Sequence, residues 1–180
     1  MTDSRAILFR TVFAGALAAL MLGLASLAPA IAAPEIVSRH TDWVVLEERQ
    51  GLRACLTYGE PGQTLPDNVR RGDIYVVVTY IPSESIGGQV RIEMGYPLEE
   101  GRDVTVEIDG RSFQLFRDDR TKETAWTRSD DDDAAMIAAM QAGSRMVVRG
   151  RSARGTDTTD TYSLSGFTAA TRATIDACRG

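Results

Sequence analysis

His40 is the single histidine of the 180-residue chain, so a serine or cysteine nucleophile activated by histidine would have to use it. Asp42 lies two residues after His40 in the sequence. The chain contains no G-x-S-x-G motif, and one histidine leaves zinc with too few ligands. We therefore predict that His40 is a surface residue ahead of the first strand, that the protein is not an enzyme, and that it uses no metal or cofactor.

Four consecutive aspartates, residues 130–133, are the most conspicuous charged run and could in principle hold a cation. The run lacks the alternating oxygen ligands and central glycine of a calcium loop. Ser129 precedes it and can cap a helix, and carboxylates in the first turn complement the helix dipole. The run therefore predicts the N-terminus of a helix and not a metal site.

The tripeptide Arg71-Gly72-Asp73 resembles an integrin-recognition sequence and stands at the end of a predicted loop, residues 61–72. Loops on a rigid scaffold often carry recognition, which makes these three residues a candidate binding loop. A match of three residues also arises easily by chance. Gly72 would equally suit a turn into the strand that follows, and the residues favour this second interpretation.

The charge balance argues against nucleic acid as a partner. The net charge is −5 at pH 7, which suits neither nucleic acid nor an anionic membrane surface. A local basic stripe could bind phosphate or heparin, but it has no interleaved aromatic residues, so a solvated strand face is favoured. The stripe consists of Arg145, Arg149, Arg151 and Arg154. We therefore expect no nucleic-acid partner.

The first 32 residues have the order of a cleavable secretory signal. Arg5 and Arg10 precede an apolar run over residues 11–27, and Ala30-Ile31-Ala32 follows as a cleavage site. The alternative is a retained anchor, although the run is short for a membrane span of about 20 residues. We predict one domain over residues 33–180, without an integral membrane segment after signal removal. We expect this domain to be exported.

Cys55 and Cys178 are the two cysteines of the chain, and both follow the predicted signal. Two cysteines in an oxidising compartment usually pair, and neither belongs to a C-x-x-C motif. Phe167, Ala170 and Thr174 share a helical face with Cys178, which aims that cysteine towards the predicted sheet. The sequence predicts a disulfide between Cys55 and Cys178, with free thiols as the alternative.

Alternating polar and apolar residues predict many short strands with turns between them. Residues 90–94 and 104–108 alternate with period two, and residues 74–81 form a buried apolar run. Asp109-Gly110 predicts a type I′ hairpin turn. Helical periodicity appears over residues 129–142 and again from Gly166. This order predicts a mainly β protein, a β-sandwich with two short helices, one before a late hairpin and one C-terminal.

Several ordered blocks of the chain are similar to the invasion-associated locus B family of exported bacterial proteins. The blocks cover most of the chain after the predicted signal. They include Asp42-Trp43, Ala54-Cys55-Leu56-Thr57-Tyr58, Arg70-Arg71-Gly72-Asp73-Ile74-Tyr75, Met94-Gly95-Tyr96-Pro97, Ser152-Ala153-Arg154-Gly155-Thr156, Asp160-Thr161-Tyr162-Ser163-Leu164 and Gly166-Phe167-Thr168-Ala169-Ala170.

The resemblance implies an immunoglobulin-like β-sandwich, exported to the periplasm or the outer surface. Some family members are linked to bacterial entry into host cells, and the resemblance carries over no enzymatic activity. It favours an envelope-associated binding protein that is periplasmic, secreted or associated with the outer membrane and has a role in host-cell interaction. Its partner would then be a protein of the bacterial envelope or of a host cell. The alternative is a periplasmic chaperone or scaffold for envelope proteins, which would offer an exposed edge strand to its clients.

Overall fold

The computed structural model describes residues 33–179. The predicted signal segment, residues 1–32, lies outside the described residues, so the division of the chain at residue 32 stays a prediction. The strands are β1 Glu35–His40, β2 Trp43–Glu48, β3 Ala54–Gly59, β4 Gln63–Leu65, β5 Tyr75–Ile81, β6 Ile86–Glu93, β7 Val104–Ile108, β8 Arg111–Arg117, β9 Thr124–Trp126, β10 Arg145–Arg151 and β11 Asp157–Ser163. The helices are α1 Asp130–Ala142 and α2 Phe167–Arg179, and Pro82–Glu84 forms one 3-10 turn.

The strands pair antiparallel in one continuous ladder with the order β1-β2-β3-β5-β6-β9-β8-β7-β10-β11-β4. Strand β8 joins the two halves of this ladder. Its residues 111–115 pair with β7, whereas Phe116 and Arg117 pair with β9. Both halves turn alternate side chains into one shared core. The core includes Val45, Val78 and Ile92 from the first half and Val106, Leu115 and Val148 from the second.

This arrangement confirms the predicted fold class, a mainly β protein with two helices. The period-two pattern explains why, since β7 alternates buried and half-buried residues along its whole length. The hairpin between β7 and β8 turns at Asp109 and Gly110, whose φ angles of 43° and 89° suit a type I′ turn. Helix α1 precedes the β10–β11 hairpin and α2 ends the described chain, as the sequence predicts.

The two strands at the ends of the ladder were not predicted. Strand β1 carries no regular alternation, and most of its residues are exposed. Strand β4 lies inside the segment that the sequence identifies as a loop, residues 61–72, and has only three residues. Both form because a neighbouring strand offers free backbone groups, β2 to β1 and β11 to β4, and not because of their own pattern.

The aspartate run begins α1 as predicted. The Ser129 side chain accepts a hydrogen bond of 3.2 Å from the backbone N–H of Asp132 and caps the helix. Asp133 turns inward, where its carboxylate accepts bonds from the N–H of Val90 at 2.7 Å and the hydroxyl of Thr127 at 2.6 Å. Burial raises the pKa of Asp133, and these two donors oppose that rise. One of the four aspartates therefore anchors the helix to β6.

Helix α2 is fixed to the first half of the ladder by a disulfide between Cys55 of β3 and Cys178, with Cα atoms 5.8 Å apart. Its buried face also packs Phe167 edge-on against Trp43, with ring centroids separated by 4.8 Å. Gly166 precedes the helix with φ +91°, and a Cβ there would lie 2.0 Å from the carbonyl oxygen of His40. Only glycine fits this position. No helix within residues 33–179 has the length and apolar character to cross a membrane.

Candidate functional site

A buried ion pair between Arg71 and Asp160 joins the segment before β5 to strand β11. Two parallel bonds of 2.6 and 2.7 Å connect the guanidinium to the carboxylate, and the two side chains are 5% and 0% exposed. The same guanidinium donates through Nε and Nη2 to the carbonyl oxygen of Met94, at 3.1 and 2.8 Å. Arg71 thus uses its fork of donors to tie three chain segments together.

Tyr96 covers this pair. The guanidinium carbon of Arg71 lies 4.9 Å from the centre of the tyrosine ring, within cation–π range. The Tyr96 hydroxyl shares a hydrogen bond with Thr158. Burial raises the pKa of Tyr96, and the Thr158 bond and the charge of Arg71 oppose that rise. A Cβ on Gly150 would lie 2.7 Å from the tyrosine oxygen, so the hydroxyl end of this side chain lies close to the backbone of β10.

Above this structure lies an open cavity of about 440 Å³, which we call the arginine cleft. Its lining comes from the segment before β5, the segment after β6, the residue before β9 and the β10–β11 hairpin. The lining residues are Val69, Arg70, Arg71, Gly95, Tyr96, Pro97, Glu123, Ser152, Ala153, Arg154, Thr156 and Thr158. Four separate stretches of chain therefore build one site.

Two cations of the arginine cleft have no partner within residues 33–179. Arg70 and Arg154 are exposed, and neither side chain makes an ion pair, a hydrogen bond or a ring contact there. Glu123 is half-buried and is the one unpaired carboxylate of the lining, since none of the described residues forms an ion pair with it. The cleft combines two free guanidinium groups with one free carboxylate.

The turn that presents Arg154 is internally bonded. The N–H of Ser152 donates to the Thr156 carbonyl at 2.8 Å, and the Thr156 N–H donates back to the Ser152 hydroxyl at 3.1 Å. The N–H of Ala153 donates at 2.8 Å to Pro97, across the cleft wall. These bonds hold the turn against the neighbouring loop, so the backbone on this side of the cleft is set before any ligand arrives.

The structure separates the members of the predicted binding loop. The guanidinium of Arg71 is buried and bonded, so it is not accessible to a partner in the way that a recognition tripeptide requires. Gly72 and Asp73 are exposed and line a different cavity of about 310 Å³, with Tyr58 and Glu60. Binding by Gly72 and Asp73 stays a prediction, while Arg71 has the role of a structural anchor that the sequence did not reveal.

The basic stripe is divided in a similar way. Arg149 pairs with Glu107 at 2.9 Å and Arg151 with Asp157 at 2.8 Å, which agrees with a solvated strand face. Arg154 stands beyond the end of β10 and faces the arginine cleft instead. The sequence groups these arginines as one local stripe, but the hairpin turn gives Arg154 a different environment from Arg149 and Arg151.

His40 ends strand β1, half-buried, with its Nε2 at 3.0 Å from the Ser38 hydroxyl. Neither residue lines the arginine cleft or the cavity beside Asp73. The structure does not bring His40 together with the cysteines, since Cys55 and Cys178 are joined in the disulfide. Absence of enzymatic activity stays a prediction.

The comparison with protein families gives a match over residues 47–174 to the model described as "Invasion associated locus B (IalB) protein". The chain belongs to this family. The crystal structure of invasion associated protein b from Bartonella henselae is similar, with a TM-score of 0.57 and 14% sequence identity. The match covers 83% of this chain and 100% of that chain, and at this identity it shows the fold alone. Comparison with curated proteins finds no match.

Several blocks that carry the family resemblance meet at the arginine cleft. They are the blocks beginning at Arg70, Met94 and Ser152, together with Asp160 behind the wall. No local pattern could have shown this, because Arg71 and Asp160 are 89 residues apart in sequence. The one available signal was the family resemblance. Blocks that are far apart in the sequence but match the same family can come together at one site in the fold.

Proposed function

We propose that this member of the IalB family is an exported, envelope-associated protein without enzymatic activity that works by binding at the arginine cleft. The observation that carries the proposal is the cleft itself, with unpaired Arg70 and Arg154 on walls held by the Arg71–Asp160 pair. A preorganised site loses little conformational entropy when it binds, which favours recognition.

Two further observations support export and a binding role. A disulfide suits an oxidising compartment, and residues 1–32 have the order of a secretory signal. The lining of the arginine cleft contains no histidine or cysteine, and the hydroxyl of Ser152 accepts a bond from a backbone N–H instead of facing a base. The similar Bartonella henselae protein is described as invasion associated, which makes a host-cell surface one source of the partner.

Site-specific photo-cross-linking in the producing cells tests this proposal. A benzoylphenylalanine at Val69, which lines the cleft and is 38% exposed, should give a discrete adduct. The control carries the same group at Glu84, exposed in the 3-10 turn and outside the cleft lining. Adducts of equal yield from both positions would contradict the proposal, as would no adduct from Val69 together with no ligand bound at the cleft. Fractionation of the same cells tests the compartment.

A second candidate function, a scaffold for envelope proteins, is favoured by strand β1. This strand lies at one end of the ladder, so one of its edges pairs with no other strand of residues 33–179, and it exposes Ile36 (51%) and Val37 (45%). An unpaired edge with apolar side chains can accept a strand from a client. This function would be supported if a photo-cross-linker at Val37 captures outer-membrane or unfolded proteins and the Glu84 control gives no adduct. Silence at Val37 would count against it.

A further inference from the structure

We infer that the arginine cleft binds a small hydroxylated organic acid, with its carboxylate at Arg70 and Arg154 and its hydroxyl groups towards Glu123. This inference rests on the proposed function, because it names the chemical class of ligand for the same cleft. Three features of the cleft carry it, namely the charge of its rim, its volume and the position of its one free carboxylate.

The rim charge points to an anion. Arg70 and Arg154 lie at one cavity in a protein of net charge −5, and neither is neutralised by any of the described residues. Within the same hairpin, by contrast, Arg149 is paired with Glu107 and Arg151 with Asp157. A guanidinium presents a planar fork of donors that matches a carboxylate, and such charged hydrogen bonds are the strong ones. Arg71 is not available for this because Asp160 occupies its fork.

The volume points to a small molecule. About 440 Å³ lies within the range of about 300–1,000 Å³ that is usual for small-ligand sites. The apolar atoms of Val69, Pro97 and Ala153 line the same cavity and can contact the carbon skeleton of a ligand. A cavity of this size between fixed loops encloses a monosaccharide-sized molecule better than it receives a protein surface, which needs a broad and mostly flat area.

Glu123 makes the site selective among anions. Its carboxylate accepts hydrogen bonds and cannot donate them, so it can bind a hydroxyl group of the ligand. The same negative charge repels a second anionic group near it. A monoanion with hydroxyl groups satisfies both the guanidinium groups and the carboxylate, whereas a compact dianion such as inorganic phosphate meets the repulsion without supplying the carbon skeleton. The cleft should therefore distinguish a sugar acid from phosphate.

Isothermal calorimetry on the folded, oxidised protein tests the inference with D-galacturonate, D-gluconate and L-lactate as probes. D-galactose is the matched neutral probe, because it differs from galacturonate only in the carboxylate. We expect at least one acid to bind at millimolar concentration, and galactose and inorganic phosphate to bind about tenfold more weakly or not at all. No binding by any of the three acids, equal binding by galactose, or tighter binding by phosphate would overturn the inference.

Charge-neutral variants assign the binding to the cleft. Arg70→Gln and Arg154→Gln should each weaken binding of the acid by about tenfold. Arg172→Gln is the matched control, since Arg172 is an exposed arginine of α2 without an ion pair and outside the cleft lining. It removes the same charge and should leave binding unchanged. If Arg172→Gln weakens binding of the acid as much as Arg154→Gln does, the attraction is nonspecific and the inference is overturned.

The outcomes separate this inference from the proposed function. If Val69 cross-links to a partner but no acid probe binds, the cleft is a binding site for another class of ligand and only the inference fails. If neither experiment gives a signal, the proposed function fails as well. Glu123→Gln adds an internal check, because it should tighten binding of inorganic phosphate while it weakens binding of the hydroxylated acid.

Discussion

Replacing Arg71 with methionine removes the guanidinium that pairs with the fully buried carboxylate of Asp160. The carboxylate then has no counter-charge in its immediate contact, and the carbonyl oxygen of Met94 loses both of its bonds from Arg71. Removing one partner of a buried ion pair costs about 3–5 kcal/mol, because an uncompensated charge stays in the interior. For a domain of this size, that loss lowers the melting temperature by roughly 10–15 °C.

The double variant Arg71→Met with Asp160→Leu distinguishes the ion pair from simple loss of packing. Replacing both charges by apolar groups of similar size often leaves the free energy of unfolding unchanged. The double variant should therefore lose only about 1–3 kcal/mol of stability, because the Met94 carbonyl has lost its bonds from Arg71. Arg71→Lys keeps the charge but loses the bidentate hydrogen bonding, so its stability should lie between those of wild type and Arg71→Met.

Urea unfolding, monitored by circular dichroism, measures these differences in stability. Each variant is fitted to a two-state model, and the urea dependence of the free energy of unfolding is compared between variants. The reasoning predicts that the double variant is more stable than Arg71→Met alone. A double variant that is as unstable as the single one, or an Arg71→Met protein within about 1 kcal/mol of wild type, would refute the account of this pair as the anchor of the arginine cleft.

Three other expectations can be measured on the same protein. Cys55→Ser removes the disulfide to Cys178, which spans a separation of 123 residues, and should lower the free energy of unfolding by about 4–5 kcal/mol. Binding by the folded variant should remain. Equal melting temperatures of the variant and the oxidised wild type would contradict this expectation. Hydrogen bonds from Arg49 and Arg53 lower the pKa of Glu47 from 4.5 to about 2, so its stabilising effect is fully present above pH 4.5 and is lost as the pH falls towards 2. Glu47→Gln should therefore flatten the pH dependence of unfolding across that range, and an unchanged profile would argue against the assignment. Gly166→Ala places a Cβ against the backbone of β1 and should prevent recovery of folded protein, which a melting curve equal to wild type would disprove.

Much of the fold was predictable because its signals are local. Asp109-Gly110 indicates its hairpin through the positive φ angles that a type I′ turn needs, and Ser129 indicates the start of α1 through a bond to a residue three positions away. The face of α2 that bears Cys178 follows from helical spacing, and the disulfide confirms the pairing. In the first two cases the deciding interaction lies within a few residues along the chain, and the disulfide pairing follows because the chain has only two cysteines.

The edge strands and the candidate site were not predictable in this way. Strand β1 has no alternating pattern and exists because β2 offers it a partner. The arginine cleft draws on segments that no window of sequence contains together, so neither its volume nor the isolation of Arg154 could be read from spacing.

Arg71 shows the division between the two kinds of information most clearly. The sequence by itself determined that an arginine precedes Gly72 and Asp73 at the start of a strand, a pattern equally consistent with recognition or with a turn. Only the tertiary structure gave Arg71 its role as a buried anchor, because the carboxylate that binds this guanidinium belongs to a strand 89 residues further along the chain. Burial and pairing are properties of the assembled core, whereas turn and helix preferences are properties of neighbouring residues.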